Sequence, residues 1–150
     1  MKTAMLAEHD GLRTFVVVCE TGDETMKTLT AFAAKEHLGG SQFTAIGAFS
    51  QAVVAYFDWS SKTYEQISID EQVEVLSLVG DVTIEDDKPK VHAHVVLGKA
   101  DATAHGGHLI EGLVRPTLEI VITEAPRHLQ RRIDPQSGLA LIDPAAIRRR

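Results

Sequence analysis

Residues Lys90 to Leu109 read KVHAHVVLGKADATAHGGHL, and this run carries the pattern from which the rest of the chain can be organised. Val91–Leu97 is a β-branched, strand-like run. Asp101 sits in a short polar break, and a second apolar run opens at His108. The two runs therefore read as the arms of a β-hairpin. Side chains alternate along a strand with period two, so His92 and His94 point to the same face. If the hairpin turns about Asp101, position 94 lies opposite position 108, where facing Cβ atoms are roughly 4.5–5.5 Å apart. Three imidazoles converging from one sheet face form a set that suits zinc or another borderline divalent metal. The alternative is open at this point. A bulge at Gly106-Gly107 would shift side-chain parity by one, turn His108 away and bring His105 into competition. Without a metal, the three histidines would be ordinary polar residues of an exposed strand.

Outward from the hairpin, the chain reads as many short strands and one helix. Leu12–Glu20 is a β-branched strand, broken by Thr21-Gly22-Asp23, with Asp23 placed to cap the helix that follows. From Glu24 to Leu38 the apolar residues Met26, Leu29, Phe32, Ala33 and Leu38 recur at helical spacing, and Gly39-Gly40 ends the run. Further strands are expected at Phe43–Phe49, Val53–Trp59, Tyr64–Ile69, Val73–Ile84, His108–Val114 and Thr117–Thr123. Asp86-Asp87-Lys88-Pro89 marks a turn between the fifth strand and the histidine hairpin. This order predicts an α+β domain around an antiparallel or mixed sheet of about seven to eight strands with one main helix. Residues 1–125 are expected to form this domain. Residues 126–150 form an arginine-rich extension that docks through Leu139, Leu141 and Ile142, on the body or on a neighbouring subunit, or stays solvated.

Composition narrows the function classes. At 150 residues and 44% hydrophobic content, the chain can bury one core, and aromatics at 5% leave that core mainly to Val, Leu, Ile and Ala. No apolar run approaches the ~20 residues that span a bilayer, and Glu8 and Asp10 interrupt the N-terminal apolar patch, so neither membrane insertion nor a signal peptide is expected. A single cysteine, Cys19, is expected as a small buried apolar residue and suits a cytoplasmic location. The net charge of −6 is uneven: residues 126–150 carry six arginines against Asp134 and Asp143, which leaves the first 125 residues at −10. An acidic body disfavours a broad phosphate-binding surface, so DNA contact would have to rest on the tail. Tyr56 and Trp59 flank a turn and are expected to pack or to form an interface. His9, His37 and His128 lack partners at ligand spacing and are expected at the surface.

Three blocks, EVLSLVGDV at Glu74–Val82, VHAHVVLG at Val91–Gly98 and GGHLIEGLVRPTLEIVI at Gly106–Ile122, together with the early Gly22-Asp23-Glu24 and its helix, strongly resemble the PPC (or PCC) domain. That domain occurs in small bacterial and archaeal proteins and in plant AT-hook nuclear proteins, and the resemblance runs from about Arg13 to Thr123. It implies an antiparallel sheet flanked by a helix, a homotrimer, and a metal site, often zinc, at His92, His94 and His108. It also implies that Glu74 and Glu119, which are retained from the family pattern, support the histidines as hydrogen-bond acceptors. Two departures limit what carries over. The plant Arg-Gly-Arg-Pro hook that enters the minor groove is missing. The plant Gly-Arg-Phe-Glu-Ile-Leu segment corresponds to Glu71–Leu76, where only Glu74 and Leu76 match, so a plant-type partner contact is not implied.

The expectation that follows is a metal- and small-ligand-binding domain. Three histidines leave an open coordination position that could hold water or an anionic ligand. A metal-dependent hydrolase or hydratase would need a general base, for which Glu74, Glu111 and Glu119 are the candidates near the motifs. No nucleophile triad or phosphate loop accompanies them, so binding rather than turnover is expected.

Overall fold

The computed structural model describes residues 1–149. In chain order these form β1 (Lys2–His9), β2 (Leu12–Glu20), α1 (Thr25–Glu36), β3 (Ser41–Asp58), β4 (Thr63–Ile69), β5 (Val73–Glu85), β6 (Lys88–Gly98), β7 (Ala104–Glu124), β8 (Arg127–Ile133) and β9 (Ala140–Arg149). All the strands join one sheet in the order β1-β2-β7-β3-β5-β8-β9, with β4 on β3 and β6 on both β5 and β7. The pairs are antiparallel except β5 with β8, which makes the sheet mixed. The architecture is thus mostly sheet with one helix, and nine strands replace the expected seven to eight.

The additions and fusions have local causes. Strand β1 is exposed along its whole length, so no alternation of apolar residues announces it. It is held by backbone pairing to β2 and by Met1 and Lys2 against Glu20. The predicted runs Phe43–Phe49 and Val53–Trp59 are one strand, because polar Ser50-Gln51 is absorbed by register shifts against β7 rather than by a turn. His108–Val114 and Thr117–Thr123 are likewise one strand, continuous through Arg115-Pro116. The C-terminal segment is a hairpin of β8 and β9. Its entry is tied to the body where Leu129 N–H and Ala125 N–H donate to the carbonyls of Gly39 and Gly40. Arg150, the last residue of the expected solvated end, lies outside the described residues.

Helix α1 starts one residue later than expected. Glu24, not Asp23, caps it, its carboxylate accepting from Met26 N–H and Lys27 N–H at 3.0 and 2.7 Å. Asp23 instead accepts from the Glu20 N–H and pairs with the N-terminal ammonium. The helix buries Leu29, Phe32 and Ala33 against one face of the sheet, where Val17, Phe43, Leu78, Ala93, Leu97, Leu118 and Ile120 form the core. Aliphatic residues dominate this core, but four phenylalanines (Phe15, Phe32, Phe43 and Phe49) occupy it too. Phe32 is fully buried and meets Phe15 edge-on at 5.4 Å; truncating such a side chain to alanine costs about 3–5 kcal/mol. Cys19 is buried as expected, and burial pushes its thiol up to about 11.

The sheet's two faces differ, and that difference positions the site. Along β6 the odd residues Val91, Ala93, Val95 and Leu97 are buried under the helix, while the even residues His92, His94 and Val96 face outward. Leu109 continues the core on β7, and His108 falls on the outer face.

Candidate metal centre

Register brings the histidines together. Strands β6 and β7 pair without a shift, His94 standing opposite His108 and Val95 opposite Gly107. The turn is centred on Asp101, whose carboxylate accepts from the Thr103 N–H and hydroxyl. No bulge forms at Gly106-Gly107, because these glycines serve close approach instead. A Cβ at Gly106 would stand 2.5 Å from the Val95 carbonyl oxygen, and one at Gly107 2.7 Å from that of Ala55. Two bare backbones let β7 fit between β6 and β3, which fixes His108 on the outer face. His105 pairs with Leu97 and is exposed, away from the cluster.

The rings of His92, His94 and His108 lie 4.9–5.4 Å apart between centroids. One nitrogen from each can be chosen so that all three lie within 4.8 Å of one another. Imidazole nitrogens about 2.0–2.1 Å from a zinc stand roughly 3.3 Å apart in a tetrahedron, so modest ring rotation closes the set. Burial, then the neighbouring His92 and His94, push His108 down to about 4. Burial and His92 also hold His94 below its ordinary value. Neutral imidazole is the form that binds metal. His108 Nδ1 is buried and has no hydrogen-bond partner. A buried, unpaired nitrogen costs on the order of 1–3 kcal/mol, and a metal ion is one partner that would relieve it. On donor type, spacing and this orphaned atom, the residues fit a metal.

The support for these rings comes from residues the sequence reading did not name. Asp81 on β5 stands opposite His92, its Oδ2 3.5 Å from His92 Nδ1 and its Oδ1 2.7 Å from Arg131 Nη2. Asp81 Oδ2 and the donor Arg131 Nη2, at 3.5 and 3.4 Å, both stand against His92 Nδ1, which leaves Nε2 as the nitrogen not engaged by the fold. Burial pushes the Asp81 carboxyl up, but hydrogen bonds from His92 and Arg131 outweigh it and hold the group below its usual value. Tyr64 packs on the far side of His108, ring centroids 4.9 Å apart. The signal for Asp81 was present: the expected turn at Asp86-Asp87, both at positive φ, counts back to 81 opposite 92. No local signal named Arg131.

Glu74 and Glu119 are not brought to the histidines. Glu74 is exposed on β5 opposite Ala48 and Gly98. Glu119 is exposed on β7 beside Ile46, eleven residues along the strand from His108. Their strands are those of the site, but their positions are not; the carboxylate that stands beside a histidine is Asp81, 3.5 Å from His92 Nδ1. Glu111, the third candidate base, faces solvent. His128 departs from expectation: its Nε2 is buried beside Glu124.

A one-helix, mixed-sheet domain carrying three clustered imidazoles on its outer face is the class that these features define. The chain belongs to the Plants and Prokaryotes Conserved (PCC) domain family, whose model matches residues 6–126. It is similar to a metal-containing protein of Archaeoglobus fulgidus, at 34% identity over 87% of this chain and 92% of that one, with a TM-score of 0.78. It is also similar to a plant- and prokaryote-conserved protein of Pyrococcus horikoshii, at 30% identity over 95% and 94% of the two chains, with a TM-score of 0.82. A protein of Bacteroides thetaiotaomicron conjectured to bind DNA shares the fold alone, at 22% identity over 94% and 96%, with a TM-score of 0.83. No curated protein matches the chain. No helix among the described residues is long and apolar enough to cross a membrane.

Proposed function

We propose that this chain is a metal-binding domain that holds zinc, or another borderline divalent transition metal, on His92, His94 and His108. The remaining coordination position takes the anionic group of a small ligand. The observation that carries this reading is that one nitrogen from each of the three imidazoles lies within 4.8 Å of the others, while His108 also has a buried Nδ1 without a partner. The donor set supports it: three neutral nitrogens and no carboxylate or thiolate leave the ion's charge uncompensated, as in open zinc sites. Bound there, the metal would act as a Lewis acid towards an oxygen ligand. The chain's own part is to orient the rings, with Asp81 fixing His92 and Tyr64 packing on His108. Elemental analysis of the purified protein beside His94→Ala tests the reading. About one metal per chain, lost in the variant, is the expected result; protein that stays metal-free under zinc titration overturns it.

The working form we propose is a homotrimer. Supporting it, Ile46, Leu76, Val79, Val96 and Val121 are all 42–63% exposed on the outer face, with Thr44 lying between Val79 and Val121 in register. A contiguous apolar patch of this kind marks an interaction surface. Sedimentation should give a trimer, and Leu76→Asp a smaller species. DNA binding is the second reading, favoured by the conjecture attached to relatives of this fold and by the tail arginines. Two of those are already engaged, Arg131 with Asp81 and Arg132 with Asp143. Binding that weakens steeply with salt would support DNA; no binding at low salt would end it.

A further inference from the structure

The histidine cluster forms the floor of a cleft of about 500 Å³, a size that takes a small organic molecule rather than a bare ion. Its second wall is the β8–β9 hairpin, which lies beyond residues 6–126 and so outside the stretch that defines the family. Ile133, Leu139 and Leu141 line that wall. The rest of the lining is nearly neutral. Lys90 pairs with Glu85 at 3.5 Å, and Arg131 with Asp81 at 2.7 Å.

Arg131 decides what the cleft can bind. Its side chain is 9% exposed, and one N–H of each nitrogen is engaged: Nε donates to Thr83 Oγ1, Nη1 to the Ala140 carbonyl and Nη2 to Asp81 Oδ1, at 2.7, 2.8 and 2.7 Å. It is therefore a latch between hairpin and sheet whose charge Asp81 already balances, and its Nη2 also stands 3.4 Å from His92 Nδ1. By holding the Ala140 carbonyl it fixes Leu139 and Leu141, the residues on either side, against the cleft. The charge partner for an anionic head must then come from the ion on the three neutral imidazoles, and the body of the ligand would meet aliphatic side chains.

We propose that the cleft selects a monocarboxylate with an apolar body, the head on the metal and the tail along Ile133, Leu139 and Leu141. This rests on the metal reading above and adds to it the chemical class of the ligand and the part of the chain that selects it. Polar groups along the tail would be left unpaired against the aliphatic wall of Ile133, Leu139 and Leu141.

The test uses the full chain loaded with cobalt(II), whose visible spectrum reports both the metal and its fourth ligand. Acetate, butyrate, hexanoate and octanoate are titrated at fixed pH and ionic strength. Each methylene that reaches the wall should tighten binding about three- to fourfold, from about 0.8 kcal/mol per buried CH₂. Leu141→Asn, at a half-exposed position, should keep the cobalt stoichiometry and the acetate affinity but flatten that dependence. Cobalt that binds while affinity stays constant from acetate to octanoate overturns this inference and leaves the metal reading standing. Cobalt that does not bind overturns both. A chain-length dependence that survives unchanged in Leu141→Asn overturns the assignment of the hairpin as the selecting wall.

Discussion

Two polar clusters sit at opposite ends of the same long strand, and they are built in opposite ways. At the C-terminal end of β7, Glu124 is fully buried and its carboxylate is used up by the protein. It accepts from Gly39 N–H and Gly40 N–H at 3.2 and 3.1 Å and from the Ser41 hydroxyl, so it ties the end of helix α1 to the sheet. At the other end, His108 and its two partners are only partly buried, or exposed in the case of His94. One buried nitrogen there, His108 Nδ1, has no hydrogen-bond partner, whereas at the C-terminal end His128 Nε2, also without a hydrogen bond, stands 3.4 Å from the Glu124 carboxylate. A polar cluster whose valences are closed within the chain holds the fold together. One whose valences stay open, at the mouth of a cleft, is where something else binds.

The largest expected effect breaks the closed cluster. Glu124→Ala leaves two buried backbone N–H groups and a serine hydroxyl unpaired, at roughly 1–3 kcal/mol each. Urea denaturation should show a loss on the order of 3 kcal/mol or more. A loss below ~1 kcal/mol would mean that the seam is not as dry or as closed as its burial says. Gly40 allows no compensating shift at the same place, since a Cβ there would stand 2.0 Å from the Arg127 carbonyl oxygen.

The open cluster should respond to metal instead of to truncation. Zinc at about 100 times its Kd should stabilise the protein by about 2.7 kcal/mol, read as a rise in the denaturation midpoint. His94→Ala should keep nearly the metal-free stability, because the ring is exposed and makes no hydrogen bond in the fold, yet it should lose the zinc-dependent rise. If zinc raises the two proteins equally, His94 is not a ligand. Asp81→Asn should fall between them. It removes the carboxylate that orients His92, and such supports are worth about 10–100-fold in metal affinity. An unchanged affinity would show that the 3.5 Å contact between Asp81 and His92 does not set the ring.

What the sequence made legible follows the same division between closed and open features. Strand β2 matches its expected limits, Leu12–Glu20, because one face is buried and the alternation is forced. The facing of His94 and His108 was legible for the same reason: apolar runs on both sides of Asp101 fix the register. Strand β1 was not, since both its faces are exposed and backbone pairing and ion pairs to Glu20, not burial, hold it. The breaks read at Ser50-Gln51 and Arg115-Pro116 are absorbed inside long strands, because a sheet tolerates polar or proline positions where register shifts take up the extra residue. Glu74 and Glu119 were favoured for lying in family-like blocks, yet strand position, not block membership, decides contact. Arg131 was out of reach of the sequence because its partners, Thr83 and Asp81, are about fifty residues away and only the docked hairpin joins them.

The smallest effect is also the sharpest test of the difference between the clusters, because it asks whether the open one costs the fold anything. His108 is held at about 4 by burial first, then by His92 and His94, with Lys90 and Arg131 adding to the repulsion. In the unfolded chain it would titrate near the ordinary value of about 6.5. Between those limits the unfolded state binds the proton and the folded state does not, so this histidine's contribution to stability falls as pH is lowered from about 6.5 to about 4. Above 6.5 it has no effect. The metal-free protein should therefore lose stability across that window more steeply than His108→Asn, which has nothing to protonate there. Denaturation midpoints of the two proteins at pH 7.0 and pH 4.5 (on the order of the window's ends) give the difference. Equal pH dependence would mean that His108 is as readily protonated in the fold as in water, and that its buried nitrogen is not held open for a metal.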